Sequence, residues 1–362
     1  MKNSFFGFNN YIMLAYIIAS LIFIIIVATI LYVREYALER MAKALRAFEV
    51  PKRLNKFGNE AIIYTQRMIS TLPKSMSEYQ QNINSWITKV AKTNEFGTNN
   101  IQEVCAYALS SGKRLRPIIA MEIGRACAFN SGMREINLIE MALAIEYIHN
   151  SSLIIDDMEW FDNDDYRRGN LTVHRKYGPA RAQMSSLVLL VGAFQNLARQ
   201  MDELKNTVFN FNITNIVNFI NFFVNHQIQE TAIGQLIDLE NKAKPTREDI
   251  FNLIQRKTGT LFEISTVCGW VFSGGEFKQS IISDIKKIGT HVAIALQIAD
   301  DIGDMEKDAS LGQQFNYANN YGADESIKEI ELQLNICEKL LRRYNLFTDV
   351  WNEIFAAIFK MF

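Results

Sequence analysis

The sequence predicts an all-α protein: one large helical domain behind an apolar N-terminal segment able to span a bilayer. Three observations predict it. Apolar residues recur at three- and four-residue spacing, as in LIEMALAIEYIHNSSLII (138–155), whereas alternating strand patterns and Asn-Gly hairpin turns are scarce. Prolines occur only at 51, 73, 117, 179 and 245, which leaves the last 117 residues free to form unbroken helices. The run YIMLAYIIASLIFIIIVATILYV (11–33) carries no charge.

As a helix that run would extend about 34 Å, enough to cross a membrane. A cleaved signal peptide would have a shorter apolar core and a small-residue cleavage site. A buried core helix would be interrupted by polar residues. Only Lys2 precedes the run, whereas Arg34, Arg40, Lys43, Arg46, Lys52, Arg53 and Lys56 follow it, against Glu35, Glu39 and Glu49. That asymmetry orients the remainder toward the cytosol. REYALERMAKALRAF (34–48) reads as a helix, either lying on the membrane surface or acting as a solvated linker. The expected organisation is an anchor over 1–33, a basic juxtamembrane segment over 34–75 and a catalytic domain over 76–362.

With 362 residues, about half of them hydrophobic, the chain can bury a sizeable core. Its net charge of −1 argues against nucleic acid as a main partner, because phosphate backbones demand a basic excess. Cys105, Cys127, Cys268 and Cys337 form no CxxC pair and read as buried thiols.

Chemistry concentrates in two acidic clusters. In SSLIIDDMEWFDNDDYRRGNLTVH (151–174), six carboxylates fall within ten positions, directly after an apolar helix. Asp156 and Asp157 end that helix, and Asp162 follows about a turn later. The second cluster, ALQIADDIGDMEKD (295–308), has the same construction, with Asp300 and Asp304 on one helical face and Asp301 beside them. Like charges so close repel, and hard divalent cations with oxygen ligands are the natural counter-charge. Either cluster alone would read as a solvated face or a helix cap. Two copies with matching apolar lead-ins read as facing walls of one metal site.

Basic groups come from three separate stretches: SGKRLRP (111–117), the pair Arg167–Arg168, and QRKTGTLFE (255–263). None has P-loop spacing. Any one of them would be ordinary surface charge; together they suit a clamp on a phosphate-rich ligand.

These residues resemble the trans-isoprenyl diphosphate synthases, the geranylgeranyl and farnesyl diphosphate synthase family. DDMEWFDNDDYRRG (156–169) resembles the first aspartate-rich motif in its DDxxxxD form, and LQIADDIGD (296–304) the second. GKRLRP, KTGTLF and GQLIDL match further signatures in their expected regions. The resemblance covers roughly residues 76–310. It implies an isoprenoid synthase fold with a central cavity, a homodimer, and Mg²⁺ as cofactor, about three ions bound with the diphosphate.

The resemblance also assigns roles. Lys113, Arg116, His149 and Arg168 would hold isopentenyl diphosphate. Arg167, Lys257, Thr258 and Gln297 would hold the allylic diphosphate, the last three acting on the leaving group. Asp156, Asp157 and Asp162 on one wall, and Asp300, Asp301 and Asp304 on the other, would bind Mg²⁺. The implied reaction is ionisation of the allylic C–O bond, attack by the isopentenyl double bond and loss of a proton. It needs neutralised charge and a dry apolar wall rather than a protein nucleophile. Four and five positions before Asp156 stand Ser152 and Ser151, where a bulky aromatic would floor the hydrocarbon pocket about 7 Å down. Two small residues point to a product longer than farnesyl, namely C20, unless Tyr147 or another helix closes the pocket.

The chain departs from the family pattern after the second motif. Family members carry a GK pair and a further lysine there; this chain reads KDASLGQQFNYANNYG (307–322), with Gln313 at the first lysine position and Lys307 as a partial substitute. Glu159 and Ile155 replace a proline and a histidine common near the first aspartates. Two other readings follow: a non-catalytic regulatory subunit, or another class-I terpenoid enzyme such as a cyclase or head-to-head synthase. Intact aspartates argue against the former, and the GKRLRP stretch, a site for a second diphosphate, against the latter.

Overall fold

The structure, a computed structural model, describes residues 75–362 apart from 94, 132–136, 208–212 and 241–242. The chain divides into two units, Met1–Leu72 and Pro73–Phe362. The expected span over 11–33 and the segment from 34 to 74 lie outside the described residues. Among the described residues no helix is long and apolar enough to cross a membrane.

The second unit is helical, as the spacing predicts. Helices α1 (Met76–Ala91), α2 (Asn99–Leu109), α3 (Leu115–Asn130) and α4 (Ile139–Asp156) lead to a two-stranded ribbon, β1 (Tyr166–Arg167) and β2 (Asn170–Leu171). A short α5 (Val173–Tyr177) precedes the long pair α6 (Pro179–Thr207) and α7 (Ile213–Glu240). Next come α8 (Arg247–Ile254), a π-helical turn (Gln255–Gly259) and α9 (Thr260–Phe272). The chain closes with α10 (Gln279–Gly303), α11 (Met305–Leu311), α12 (Tyr317–Tyr321), α13 (Ala323–Arg343) and α14 (Asp349–Phe359).

Burial sorts these helices into centre and periphery. In α9 every residue is buried, and it packs against α3, α4, α7 and α10. Such a helix is apolar nearly all round, the signature of a core position. Its one charged residue, Glu263, is met by the Thr290 hydroxyl at 2.7 Å and Lys286 at 3.2 Å. Helix α13 is peripheral and amphipathic, burying Ile330, Leu334, Cys337 and Leu341 against α10. Asp324 and Glu325 in its first turn and Arg342 and Arg343 in its last complement its dipole. Helix α4 lies along α6 in the most extensive helix contact of the unit.

Local signals set the boundaries. The Ser75 hydroxyl accepts from Glu78 N and caps α1. Thr246 and Asp249 form a reciprocal capping box at α8. The Arg114–Glu146 pair, 2.5 Å apart and almost wholly buried, fixes the start of α3 to α4. Removing one partner of such a pair costs roughly 3–5 kcal/mol, because the other charge stays buried. All four cysteines are free and buried, as expected.

Among the described residues the ribbon is the one departure from an all-helical fold. Tyr166 pairs with Leu171 and Arg167 with Asn170. The two turn residues, Arg168 and Gly169, both have positive φ, 53° and 78°, the conformation of a two-residue hairpin whose twist matches its strands.

Candidate active site

The first acidic motif begins where α4 ends. Asp156 is the last helical residue and Asp157 its C-cap. The two extra residues of the motif are absorbed by a tight loop over buried Met158, whose carbonyl accepts from Phe161 N and Asn163 N. The loop closes with Asp162 N donating to Asp156 O at 2.9 Å, so the two carboxylates share one neighbourhood. Burial pushes Asp156 up to about 6, with Asp162 and Asp157 adding to the rise and Lys257 and Arg167 opposing it. Asp162 is raised chiefly by burial as well.

Asp157 has another partner. Its Oδ1 accepts from Arg167 Nε at 2.6 Å and Nη2 at 2.5 Å. Arg167 also reaches Asp164 at 3.6 Å. The neighbouring Arg168 goes elsewhere, donating through Nη1 to Ser111 O at 2.7 Å.

The second motif closes α10. Asp300 is exposed on its last turn, and Asp304 is the C-cap, its N–H bonded to Asp300 O at 3.0 Å. Partial desolvation of its carboxyl by the surrounding protein raises Asp300, and Asp304 adds to that, while Lys113 and Lys307 pull the other way. Asp301 is buried and serves the protein: it accepts from Gln297 Nε2 at 3.0 Å and from Tyr317 N at 2.8 Å. Burial nevertheless lifts it to about 7.

The π-helical turn stands between the motifs. Widened turns of this kind recur at functional sites because they displace side chains from the helical register. Lys257 Nζ sits 2.6 Å from Asp238 Oδ2. Burial alone would lower Lys257, but Asp238, Asp156 and Asp162 together hold it above its usual range. The next residue, Thr258, donates to Gln297 Oε1 at 3.1 Å on α10. One turn therefore feels the charge of the first motif through Lys257 and hydrogen-bonds, through Thr258, the helix that carries the second. Gly234 on α7 permits this: a Cβ there would lie 2.6 Å from Lys257 N.

Opposite in sign is a set of cations with too few anions. Arg116 Nη1 lies 3.2 Å from His149 Nε2, its guanidinium stacks 4.4 Å over the Phe262 ring, and its buried Nε has no partner. Burial lowers Arg116 to about 10, still charged at neutral pH. Burial and the charges of Arg116, Arg168, Arg167 and Arg114 hold His149 well below its usual range, so it is neutral. Burial lowers Arg168 too. Arg114 is paired with Glu146 and Arg167 with Asp157, but among the described residues Arg116 and Arg168 have no carboxylate partner, and unpaired cations attract an anion.

The predicted residues are linked in pairs, Lys257 with Asp156 and Asp162, Thr258 with Gln297, and Arg116 with His149, with three qualifications. Asp157 and Asp301 are occupied by protein donors. Ser151, expected to line the hydrocarbon pocket, is buried and bonded to the Ser186 hydroxyl and carbonyl on α6, each at 3.0 Å. Ser152 is half-buried, its hydroxyl turned to His149 O at 2.9 Å. Sequence reasoning singled out GQLIDL without assigning Asp238, the partner of Lys257, or Gln235, whose buried amide has neither donor nor acceptor bond. Their adjacency in one signature was the available signal.

Among the described residues no three His, Cys, Asp or Glu side chains are close enough to hold a metal ion unaided. The donors fit one nonetheless. They are hard oxygens, desolvated and mutually repelling, with substrate oxygens left to complete a coordination shell.

Fold and site together define an all-helical prenyl-transfer enzyme. The Polyprenyl synthetase family matches over residues 98–317. A trans-prenyltransferase of African swine fever virus (strain Badajoz 1971 Vero-adapted) is 34% identical over 80% of this chain and 85% of its own. A geranylgeranyl diphosphate synthase of Cyanophora paradoxa is 33% identical over 64% of this chain and 78% of its own. A geranyltranstransferase structure from Thermotoga maritima, 21% identical, aligns with a TM-score of 0.63 over 79% of this chain and 99% of that one. The chain belongs to the polyprenyl synthetase family, the trans-isoprenyl diphosphate synthases, and is a prenyltransferase. Members of this family are generally Mg²⁺-dependent.

Proposed function

We propose that the chain condenses isopentenyl diphosphate with an allylic diphosphate, head to tail, to give geranylgeranyl diphosphate. The observation that carries the reading is the Lys257–Thr258 turn. It presses an ammonium toward the first acidic motif and hydrogen-bonds the helix that carries the second. A diphosphate between the two motifs would meet Lys257, Thr258, Gln297 and Arg167. Lys113, Arg116, His149 and Arg168 would hold the other diphosphate, with the partnerless Arg116 Nε as a ready donor.

Asp156, Asp162, Asp300 and Asp304 would hold the Mg²⁺ ions, about three, with Asp157 and Asp301 fixing the loops behind them. Bound with the diphosphate, the ions supply neutralisation of the charge that grows as it leaves. Lys257 and Arg167 add fixed positive charge at the same oxygens. The isopentenyl double bond then attacks the allylic cation, and the proton passes to the departed diphosphate. Ser152 leaves the start of the hydrocarbon path open, which supports the C20 product. Incubating the full chain with labelled isopentenyl diphosphate, C5, C10 or C15 primer and Mg²⁺ tests the reading. C20 product is expected, and no elongation with any primer would refute it.

Two further features belong to the proposal. The uncharged run over 11–33 and the basic residues after it support a single-pass membrane anchor with the catalytic unit on the cytosolic side. On α6 the exposed Met184, Leu187 and Val191 follow helical spacing and support a homodimer, since an exposed apolar stripe calls for a partner. Carbonate extraction of membranes and light scattering test these in turn. Release of the full chain by carbonate, or a monomer mass, would refute each.

A further inference from the structure

We infer that α1 is the support of the isopentenyl diphosphate loop, with Gln80 and Asn84 as positioning residues. This rests on the reading of Lys113 and Arg116 as ligands of that diphosphate. The loop 111–114 is poorly able to hold its own shape. Gly112 has φ +150° and Arg114 φ +57°, the latter in the left-handed region that a side-chain-bearing residue occupies only at a cost. A larger residue at 112 is not an available stiffener, because a Cβ there would lie 2.6 Å from an Arg168 guanidinium nitrogen.

The loop is held from outside instead. Ser111 O accepts from Arg168 Nη1 at 2.7 Å and Arg114 Nη1 at 3.1 Å. Gly112 O and Lys113 O both accept from Gln80 Nε2, at 3.3 and 3.4 Å. Arg114 Nε donates to Asn84 Oδ1 at 2.9 Å. Gln80 and Asn84 lie four residues apart and so share one face of α1. Three successive carbonyl dipoles are thereby satisfied beside a site meant for an anion. Each Gln80 bond is long, so the bifurcated pair and the Asn84 bond act together.

Helix α1 is well placed for the task because it is itself fixed. Tyr79, Ile83, Ile87 and Val90 are buried on its inner face. Tyr79 donates to Glu122 Oε2 at 2.7 Å, and Met76 N to Glu353 Oε2 at 2.9 Å. The loop thus inherits rigidity from a helix that is anchored through its own buried face and these two bonds.

The test uses the chemistry of the Gln80 contact. Carbonyl oxygens only accept, so a carboxylate of the same size should be repelled where the amide is held. In the full chain, Gln80→Glu is expected to raise KM for isopentenyl diphosphate about tenfold, with KM for the allylic primer unchanged. Gln80→Arg, which keeps the donors, should restore most of the loss. Asn84→Ala, at an exposed position, should raise the same KM about threefold and gives a readout if Gln80→Glu folds badly. Equal effects on both KM values, or values within twofold of the unmodified chain while Lys113→Ala raises KM for isopentenyl diphosphate, would overturn the inference. If Lys113→Ala also leaves that KM unchanged, the diphosphate reading of the loop falls and takes the inference with it.

Discussion

Thr258 Oγ1 donates to Gln297 Oε1 at 3.1 Å, and Gln297 Nε2 passes on to Asp301 Oδ1 at 3.0 Å. A residue of the π-helical turn is thereby wired to the second acidic motif. Thr258→Val removes the first bond while keeping shape. A bond of this kind is worth about 1 kcal/mol net, so kcat/KM for the allylic substrate should fall about fivefold. An unchanged value would mean the contact is incidental.

Asp300 is the exposed carboxylate of the second motif, with Asp304 beside it and no protein donor like those that occupy Asp301. Asp300→Ala should lower kcat at least 10²–10³-fold, the order expected for losing a principal electrostatic contributor. Asp301→Asn should act differently. It disturbs the cap on Tyr317, and its first effect should be on thermal melting.

Burial lifts Asp156 from 3.8 to about 6. The folded value is the higher one. The protonated carboxyl therefore favours the fold fully below about 3.8, and that contribution is lost as pH rises through about 6. Metal-free Asp156→Asn should melt about 2–4 °C above the unmodified chain at pH 8. The gap should narrow progressively below pH 6, closing only near pH 3.8, and shrink on adding Mg²⁺. A gap that is constant with pH would contradict the assignment.

His149 is neutral because burial and four surrounding arginines disfavour its proton. A bound diphosphate reverses the local potential and should raise its pKa. Calorimetry of inorganic diphosphate binding at pH 7, in buffers of different ionisation enthalpy, should show more proton uptake than in His149→Asn. Equal proton counts would place His149 outside the anion site.

Ser152 and Ser151 separate two roles that sequence position joined. Ser152→Phe should narrow the hydrocarbon path and shift products toward C15. Ser151→Phe should chiefly destabilise the protein, because Ser151 is knitted to Ser186 across the α4–α6 contact. Product sizing alongside melting curves distinguishes the two.

The helical class, both acidic motifs and the three basic stretches were legible because each is written in local spacing. An apolar lead-in before Asp156 and again before Asp300 places carboxylates at the ends of buried helices, which is where they stand. Long-range pairings were not legible. Nothing near Asp157 announces that Arg167 will consume it, and nothing near Asp301 announces the backbone of Tyr317. Gln80 has no local signature at all, since its partners are carbonyls some thirty residues away. The ribbon was missed for a different reason: Arg168 adopts a positive φ that sequence rules reserve for Gly, Asn or Asp.

That ribbon has a consequence for mutational tolerance. Arg167 and Arg168 are adjacent in the chain, yet one is drawn to Asp157 and the other to Ser111. Deletion of a single residue between Asp157 and the turn would put Arg168 at the position that meets Asp157 and carry Arg167 away from it, with the number of guanidinium groups unchanged. Register along residues 158–167, more than the number of positive groups, is what natural variation here is least free to alter.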